Sequence, residues 1–383
     1  MNRKLGAYVH VPFCATRCGY CDFNTYTAQE LQRDDTKVSP ATYVDRVIAE
    51  IDRQHRELGE NVKPLATVFF GGGTPTMLGS SELVRALKAL KQKFDFEPNA
   101  EVTTEVNPDS VDENDLKILR EGGFTRVSFG HQSSAPLVLQ LLDRTHTPGR
   151  TWDAVKWARS AGFEHVSVDL IYGSPNETKA DLELTLTEVI AAQLDHVSAY
   201  SLIVEPGTRL AAQVSRGEVA SPSDDVAAER YELIDRVLSE AGFSWYEVSN
   251  WAKPNGECLH NINYWTNQDW LGIGPGAHAH FDGLRLWMTK HPAAWAQQVD
   301  TGQAPVAGSE RLSETEIANE NIMLGLRLKT GIELSSLSPV ANEEAKLAAL
   351  QGLLDEEQIE YGRAVLTNKG RLLADGLVSR LWS

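Results

Sequence analysis

The chain has 383 residues, 42% of them hydrophobic and 23% charged, so it can bury a sizeable core and form one large domain plus a smaller one. Its 53 acidic and 36 basic residues give a net charge of −17, which argues against a phosphate backbone or an anionic membrane as the main partner. No apolar run is long enough for a signal peptide or a transmembrane helix. We therefore expect a protein that binds no nucleic acid and does not span a membrane.

Short β-branched or aromatic runs alternate with amphipathic stretches in the first half of the chain. The runs predict strands over 6–11, 65–70, 100–106, 124–130, 164–170 and 195–202. The stretches between them predict helices over 41–58, 80–93, 111–121, 150–162 and 178–193. Six β-α units in a row predict a parallel sheet, closed or partly closed, which binds ligands at the C-terminal ends of its strands.

The pattern changes after about residue 205. It predicts a long helix over 223–242, a strand over 243–248 and a loop-rich segment over 250–290. The end of the chain predicts two helices, a β-like run and a last helix, over 314–328, 342–356, 359–366 and up to Trp382. The fold class we expect is α/β, a partial barrel of six β-α units with a smaller C-terminal α/β, winged-helix-like domain. The predicted units are the barrel, an extension and the C-terminal domain, over 1–210, 211–310 and 311–383.

The four cysteines are unevenly spaced. Cys14, Cys18 and Cys21 lie within eight residues, and Cys258 lies far away, which is a poor disulfide framework for a chain of this length. We expect a reducing compartment, the cytoplasm.

The cysteine triplet directly follows the first predicted strand. Three thiolates at this spacing can each ligate one iron of a cubane cluster. Asp22 and Phe23 occupy the next places, so the fourth iron can bind an outside molecule through an amine and a carboxylate. A zinc site is the alternative, but it normally takes two pairs of ligands. We expect a 4Fe-4S cluster held by Cys14, Cys18 and Cys21.

The residues around the triplet resemble a known signature. Tyr8-Val9-His10-Val11-Pro12-Phe13-Cys14, followed by Cys18, Tyr20 and Cys21, is similar to the motif of the radical S-adenosylmethionine superfamily. Within it, the pattern resembles the branch of oxygen-independent coproporphyrinogen III oxidase and its relatives. The resemblance implies a partial (β/α)6 barrel, S-adenosylmethionine bound at the open iron, and Tyr20 next to the cluster and the adenine.

Further candidate ligand contacts follow later strands. Gly71-Gly72-Gly73-Thr74 comes after an apolar strand, where glycines let backbone approach a ligand closely, although an ordinary tight turn is the alternative. Asp169 lies inside an apolar strand, where a charge is costly unless it is paired or ligand-bound. Each polar residue could instead form a structural salt bridge. The resemblance places a set of residues around S-adenosylmethionine: Tyr8, Gly72, Gly73, Thr74, Glu105, Gln132, Arg144 and Asp169.

A second glycine-rich segment, Gly272-Ile273-Gly274-Pro275-Gly276, is similar to a dinucleotide fingerprint. No strand is predicted before it, and Pro275 obstructs a helix start, so we set a dinucleotide fold aside.

Two features point to one group within the branch. His260-Asn261, with Tyr264-Trp265 after it, resembles the motif of HemW-type heme chaperones, and so does the segment 271–278. An imidazole can ligate heme iron and aromatic rings can stack on the macrocycle, although core aromatics and a hydrogen-bonded His260 are the alternative. Phe23 stands where the oxidase has a further Cys, and only seven residues precede Tyr8, where the oxidase has a long arm.

We therefore expect a heme chaperone that binds heme and an S-adenosylmethionine-ligated 4Fe-4S cluster and transfers the heme to an acceptor protein. His260 is the predicted heme contact, no catalytic residue is assigned, and homodimer formation is a further prediction. The first alternative is an enzyme that decarboxylates coproporphyrinogen III by 5′-deoxyadenosyl radical chemistry. The second is a redox or scaffold protein whose cluster only holds the fold.

Overall fold

A twelve-stranded mixed sheet forms the centre of the molecule in the computed structural model, which describes residues 3–33, 38–59 and 62–382. We number its strands in chain order: β1 (Leu5–Val11), β2 (Leu65–Gly72), β3 (Phe96–Val106), β4 (Arg126–Gln132), β5 (His165–Tyr172), β6 (His196–Ser201), β7 (Ser244–Glu247), β8 (Asn250–Ala252), β9 (Asp269–Ile273), β10 (His278–Phe281), β11 (Leu284–Met288) and β12 (Val306–Arg311). Their order across the sheet is β12-β11-β10-β9-β1-β2-β3-β4-β5-β6-β8-β7.

The six predicted strands are β1 to β6, and they form one parallel run in sequence order. Strand β9 extends this run on the free side of β1, also in parallel. Because β1 and β6 are not neighbours, the barrel stays open. The predicted fold class, a partial barrel with a smaller C-terminal domain, is confirmed.

Five long helices cover the outside of the parallel run, where the sequence predicts them. They span Pro40–Leu58, Ser80–Lys93, Glu113–Gly122, Arg150–Ser160 and Lys179–Ala191. Each presents apolar side chains to the sheet, and the side chains of Asp112 and Thr178 cap two of them at the N-terminus. Shorter helical segments between the strands span Ala28–Arg33, Pro75–Leu78, Pro108–Ser110, Pro136–Leu141 and Arg209–Ser215.

The extension is more ordered than its sequence predicts. Helix Asp224–Glu240 and β7 lie where expected, but the loop-rich prediction for 250–290 is wrong, since this segment holds β8 to β11 and helix Leu259–Trp265. Helix Pro292–Asp300 and β12 follow. A strand, β9, does lead into Gly272, contrary to our expectation. The glycines are followed by strand β10 and not by a helix, because β9 and β10 form an antiparallel hairpin.

The C-terminal part has its own apolar core, formed by residues between Ile322 and Leu381. Its helices span Glu314–Gly325, Pro339–Leu350, Glu356–Glu360, Asn368–Leu372 and Ala374–Leu381, and its short strands Ile332–Glu333 and Arg363–Ala364 pair antiparallel around a turn at Leu334–Ser336. The strand predicted over 359–366 is wrong except at Arg363–Ala364, because the Asp355 side chain caps a helical turn there. The boundaries at 210 and 310 stay a prediction.

A buried ion pair joins this C-terminal core to the extension. Both Nη atoms of Arg371 donate to the carboxylate of Asp235, at 2.9 and 2.6 Å, and the guanidinium lies over the ring of Trp245.

Within the ranges that the structure describes, we find no helix with the length and apolar character needed to cross a membrane.

Candidate functional site

A cavity of about 580 Å³ runs through the open barrel, from the C-terminal ends of the strands towards their N-terminal ends. All thirteen predicted site residues line it: Tyr8, Cys14, Cys18, Tyr20, Cys21, Gly72, Gly73, Thr74, Glu105, Gln132, Arg144, Asp169 and His260. Parallel strands bring residues together in this way because their C-terminal ends meet at one edge of the sheet.

The cysteine loop leaves β1 and returns beside it. Phe13 and Cys14 pair in parallel with Tyr26 and Thr27, which closes the base of the loop. Within the loop, the Cys21 amide donates to the Cys18 carbonyl at 3.2 Å. The three thiols are half-buried and face the cavity together.

Each of the three sulfurs meets a hydrogen-bond donor. The Thr74 hydroxyl lies 3.9 Å from Cys14 Sγ, Arg144 Nη1 lies 3.6 Å from Cys18 Sγ, and the Phe23 amide donates to Cys21. Burial nevertheless raises the pKa of Cys14 to about 11. The Cys14 thiolate therefore forms at neutral pH only when a bound cation stabilises it, as happens when a cysteine ligates a metal.

The residues present fit an iron–sulfur cluster. A Cβ on Gly73 would lie 3.1 Å from Cys14 Sγ and 2.6 Å from the Phe13 carbonyl, so this position needs a glycine for close approach to the loop. Among the described residues, no three His, Cys, Asp or Glu side chains are placed to hold one metal ion. A cubane needs a wider arrangement than a single ion, because it spreads three thiolates over three irons.

Glu105 lies at the end of β3, beside the glycine segment. The Gly72 amide donates to Glu105 Oε2 at 3.0 Å, and Gly72 has a φ of 113°, where a Cβ would lie 2.5 Å from the His10 ring. Burial, followed by the charge of Asp169, raises the pKa of Glu105 to about 8. Its accessible part faces the cavity, where a cationic amine would favour the ionised form.

Asp169 faces the cavity from β5, and Arg144 faces it from the loop after helix Pro136–Leu141. The Ser128 hydroxyl donates to Asp169 Oδ1 at 3.0 Å, and burial raises the pKa of this carboxyl. Arg144 Nη2 donates to the Gly130 carbonyl at 2.6 Å, while its buried Nε has no partner among the described residues. Gln132 ends β4 with a φ of 68°, a backbone strain typical of functional sites. Carboxyl groups suit hydroxyls and amines, and a guanidinium suits a carboxylate.

The two predicted tyrosines hold different positions. The Tyr8 hydroxyl shares a hydrogen bond of 2.9 Å with His10 Nδ1, and its ring stacks on Phe69. Tyr20 packs in a small apolar cluster beside the cysteine loop, and burial raises its pKa.

His260 lies at the opposite end of the cavity, on helix Leu259–Trp265, with 1% of its surface exposed. Its Nδ1 bonds the Thr67 hydroxyl at 2.7 Å, and its Nε2 bonds the Tyr264 hydroxyl at 2.8 Å. The Thr67 hydroxyl also accepts from the side-chain amide of Asn263 at 3.0 Å, so Asn263 helps to fix it beside the His260 ring. Burial lowers the pKa of His260 to about 4. The ring is therefore neutral, and both nitrogens already have partners.

Sequence reasoning missed the pair that fixes this helix. Arg126 Nε donates to Glu101 Oε2 at 3.1 Å, and the backbone amides of Leu259 and His260 donate to the same carboxylate at 3.0 Å. Both side chains are almost fully buried on inward positions of β3 and β4. The signal that singled out Asp169, a charge inside an apolar strand, also applies to Arg126.

The exposed apolar residues at the mouth of the cavity were also missed. Phe23, Tyr200 and Ile203 line it with 63%, 46% and 64% of their surface exposed. Large exposed apolar side chains grouped at a cavity typically mark a binding surface.

Comparison with known proteins gives consistent results. The Radical SAM superfamily matches residues 8–189. The chain is 46% identical over 380 residues to the heme chaperone HemW of Mycobacterium tuberculosis, a match that covers 99% of this chain and 95% of that protein. It is 36% identical over 362 residues to HemW of Synechocystis, covering 93% of this chain and 86% of that protein. It is 31% identical over 381 residues to HemW of Bacillus subtilis, covering 96% and 97%.

Among solved structures, coproporphyrinogen III oxidase (HemN) of Escherichia coli matches with a TM-score of 0.83. The match covers 100% of this chain and 90% of that chain at 24% identity, which shows the fold. The sequence relatives go further, since three of them exceed 30% identity over nearly their whole length. The chain belongs to the HemW heme chaperone family of the radical SAM superfamily.

Proposed function

We propose that this chain binds heme together with an S-adenosylmethionine-ligated 4Fe-4S cluster and passes the heme to an acceptor protein. The observation that supports the proposal is that the thiols of Cys14, Cys18 and Cys21, the carboxyl groups of Glu105 and Asp169 and the guanidinium of Arg144 converge on a single cavity. Heme is proposed as the ligand because the relatives are named as heme chaperones, and the cavity offers a place for the cofactors.

The residues divide by chemistry within this proposal. Cys14, Cys18 and Cys21 would hold the cluster, which supplies an iron with an open coordination position. The Gly72–Thr74 segment and Glu105 would take the amino group of S-adenosylmethionine. Gln132 and Asp169 suit its ribose hydroxyls, and Arg144 suits its carboxylate. Tyr8 and Tyr20 would complete the walls around the nucleotide.

The cavity offers two places for a flat macrocycle. At the floor, the end of the cavity where His260 lies, His260 Nε2 would have to give up its bond to Tyr264 before it could ligate iron. At the mouth, Phe23, Tyr200 and Ile203 already expose apolar surface. We favour the mouth because contact there breaks no existing hydrogen bond, and His260 as heme contact is the competing hypothesis.

Heme titration followed by the Soret band tests both places. Phe23→Ser and Ile203→Ser should weaken heme binding by roughly tenfold each, because each removes a large apolar contact. Leu137→Ser is the matched control, since Leu137 is 73% exposed and lies outside the cavity. Loss of binding in His260→Ala alone would favour the floor, and a wild-type protein without a Soret shift would contradict the heme proposal.

The oxidase alternative has its own assay. Anaerobic incubation with reductant, S-adenosylmethionine and coproporphyrinogen III should give no protoporphyrinogen if the chain is a chaperone. Steady product formation would replace our proposal by the oxidase activity.

Compartment and assembly are part of the proposal. All four cysteines are free thiols, which suits a reducing compartment, and we propose the cytoplasm. Homodimer formation stays a prediction, which light scattering with and without cluster would test.

A further inference from the structure

A turn of the extension lies beside the cysteine loop, although about 250 residues separate them in sequence. Strand β9 runs parallel to β1, with Val9 opposite Ile273. Because parallel strands end at the same edge, the segment after β9 lies next to the segment after β1. We call Gly274-Pro275-Gly276 the GPG turn. It belongs to the second glycine-rich segment, which the nucleotide site does not use.

Asn24 connects the two segments. It lies three residues after Cys21, and its side-chain amide donates to the Pro275 carbonyl at 3.0 Å and to the Lys290 carbonyl at 2.8 Å. Its own carbonyl bonds His10 Nε2 at 2.8 Å, and its Oδ1 accepts from the Tyr26 hydroxyl at 3.2 Å. Every hydrogen-bonding group of the Asn24 side chain is therefore used to hold the end of the cysteine loop.

The GPG turn is itself held in place by a hydrogen bond to a buried carboxyl group. The Gly274 amide donates to the buried carboxyl of Glu50 at 2.9 Å, and the Trp295 indole donates to the same oxygen at 2.9 Å. Gly276 has a φ of 77°, and a Cβ there would lie 2.5 Å from Asn24 Nδ2. The turn therefore offers a rigid surface with no spare room beside the Asn24 amide.

We propose that Asn24 is a positioning residue that fastens the cysteine loop to the GPG turn, so that the extension sets how long the cysteines retain a cluster. The inference rests on the proposed cluster. The pairing of Phe13 and Cys14 with Tyr26 and Thr27 closes the base of the loop. Asn24 adds an anchor between Cys21 and that base. Without it, the segment that carries Cys21 opens more often, and iron is lost through the opened loop.

The full chain, reconstituted anaerobically, allows a direct test. An iron chelator is added, and the decay of the visible charge-transfer absorption gives the rate of cluster loss. Asn24→Ala should lose its cluster roughly tenfold faster than wild type, since two hydrogen bonds are removed. Gly276→Ala should do the same although Gly276 contacts no cysteine. In the double variant, cluster loss should be accelerated by less than the product of the two single accelerations, because both substitutions act on one contact.

Gly283→Ala is the matched control. Gly283 has a φ of 72°, so an alanine suffers the same backbone strain in the same part of the chain, but its nearest neighbour is Arg311 and not the cysteine loop. We expect the wild-type rate of cluster loss for it. Asn24→Asp keeps the shape of the side chain and removes both donors, which gives a second variant should Asn24→Ala fold poorly.

The outcomes separate this inference from the proposed function. Wild-type rates in Asn24→Asp and Gly276→Ala, in a protein that does hold a cluster, overturn the inference and leave the proposed function intact. Equal acceleration in Gly283→Ala also overturns it, because general strain would then explain the effect. A wild-type protein that holds no cluster overturns the proposed function and this inference with it.

Discussion

Glu105 allows the electrostatics of the site to be tested without any ligand. Its pKa is about 8 in the folded protein, against an ordinary value of 4.5, so the folded chain keeps a proton that the unfolded chain releases. The contribution of Glu105 to stability must therefore fall as the pH rises from about 4.5 to about 8. Glu105→Gln removes this titration, and its amide oxygen can still accept from the Gly72 amide.

The size of the effect follows from the shift. Within that range, each pH unit costs at most about 1.4 kcal/mol of unfolding free energy. Between pH 6.0 and 7.5 this amounts to about 2 kcal/mol, an upper limit because water in the cavity reaches the carboxyl. An unfolding entropy of about 0.8 kcal/mol per kelvin, expected for 383 residues, converts this to a change of about 2–3 °C in Tm.

Scanning calorimetry of the cluster-free protein provides the measurement. The Tm of wild type relative to Glu105→Gln should drop from pH 6.0 to pH 7.5, by at most about 2–3 °C. Burial also raises the pKa of Glu50 and Glu177 to about 7, but both are present in the two proteins and cancel in the difference. A difference in Tm that stays constant with pH would refute the burial argument for Glu105.

Three further predictions test other parts of the molecule. Cys18→Ser should lose iron and visible absorption, whereas Cys258→Ser, at the cavity floor, should keep both; retained iron in the first variant would contradict the cluster assignment. Arg144→Gln removes the charged donor to Cys18 Sγ and should lower the reduction potential of the cluster in an EPR-monitored titration. Arg371→Met leaves Asp235 buried without its partner and should cost about 3 kcal/mol in denaturant unfolding; adding Asp235→Asn should restore most of it.

Much of the barrel can be predicted because its signals are local. Strands β1 and β2 are largely apolar and buried along most of their length, and the helices between the strands carry apolar residues at helical spacing. The cysteine triplet and the polar residues at strand ends follow from spacing and from the geometry of parallel sheets. These features depend on neighbours within about ten residues.

The parts that sequence reasoning missed depend on distant partners. Strand β9 has five residues, one of them glycine, and becomes a strand through its pairing with β1. The turn Asp282-Gly283 between β10 and β11 is a hairpin signal that was available and not used. In the sequence, Glu101 and Arg126 are two isolated charges, and only the fold brings them together. The hydrogen-bond partner of His260, Thr67, lies 193 residues away in the sequence.

The position of His260 leads to a last prediction, in which the residue acts on the nucleotide site without touching heme. Its ring stacks on Phe69 with centroids 5.3 Å apart, and Phe69 stacks on Tyr8 at 6.3 Å, so the three rings connect the floor to the level of Glu105. His260→Ala leaves space behind Phe69 and loosens Tyr8. S-adenosylmethionine should then bind the cluster-containing protein roughly threefold to tenfold more weakly in calorimetric titration, since stacked pairs contribute about 0.5–1.5 kcal/mol. Unchanged affinity, together with a lost Soret shift, would instead identify His260 as a heme ligand.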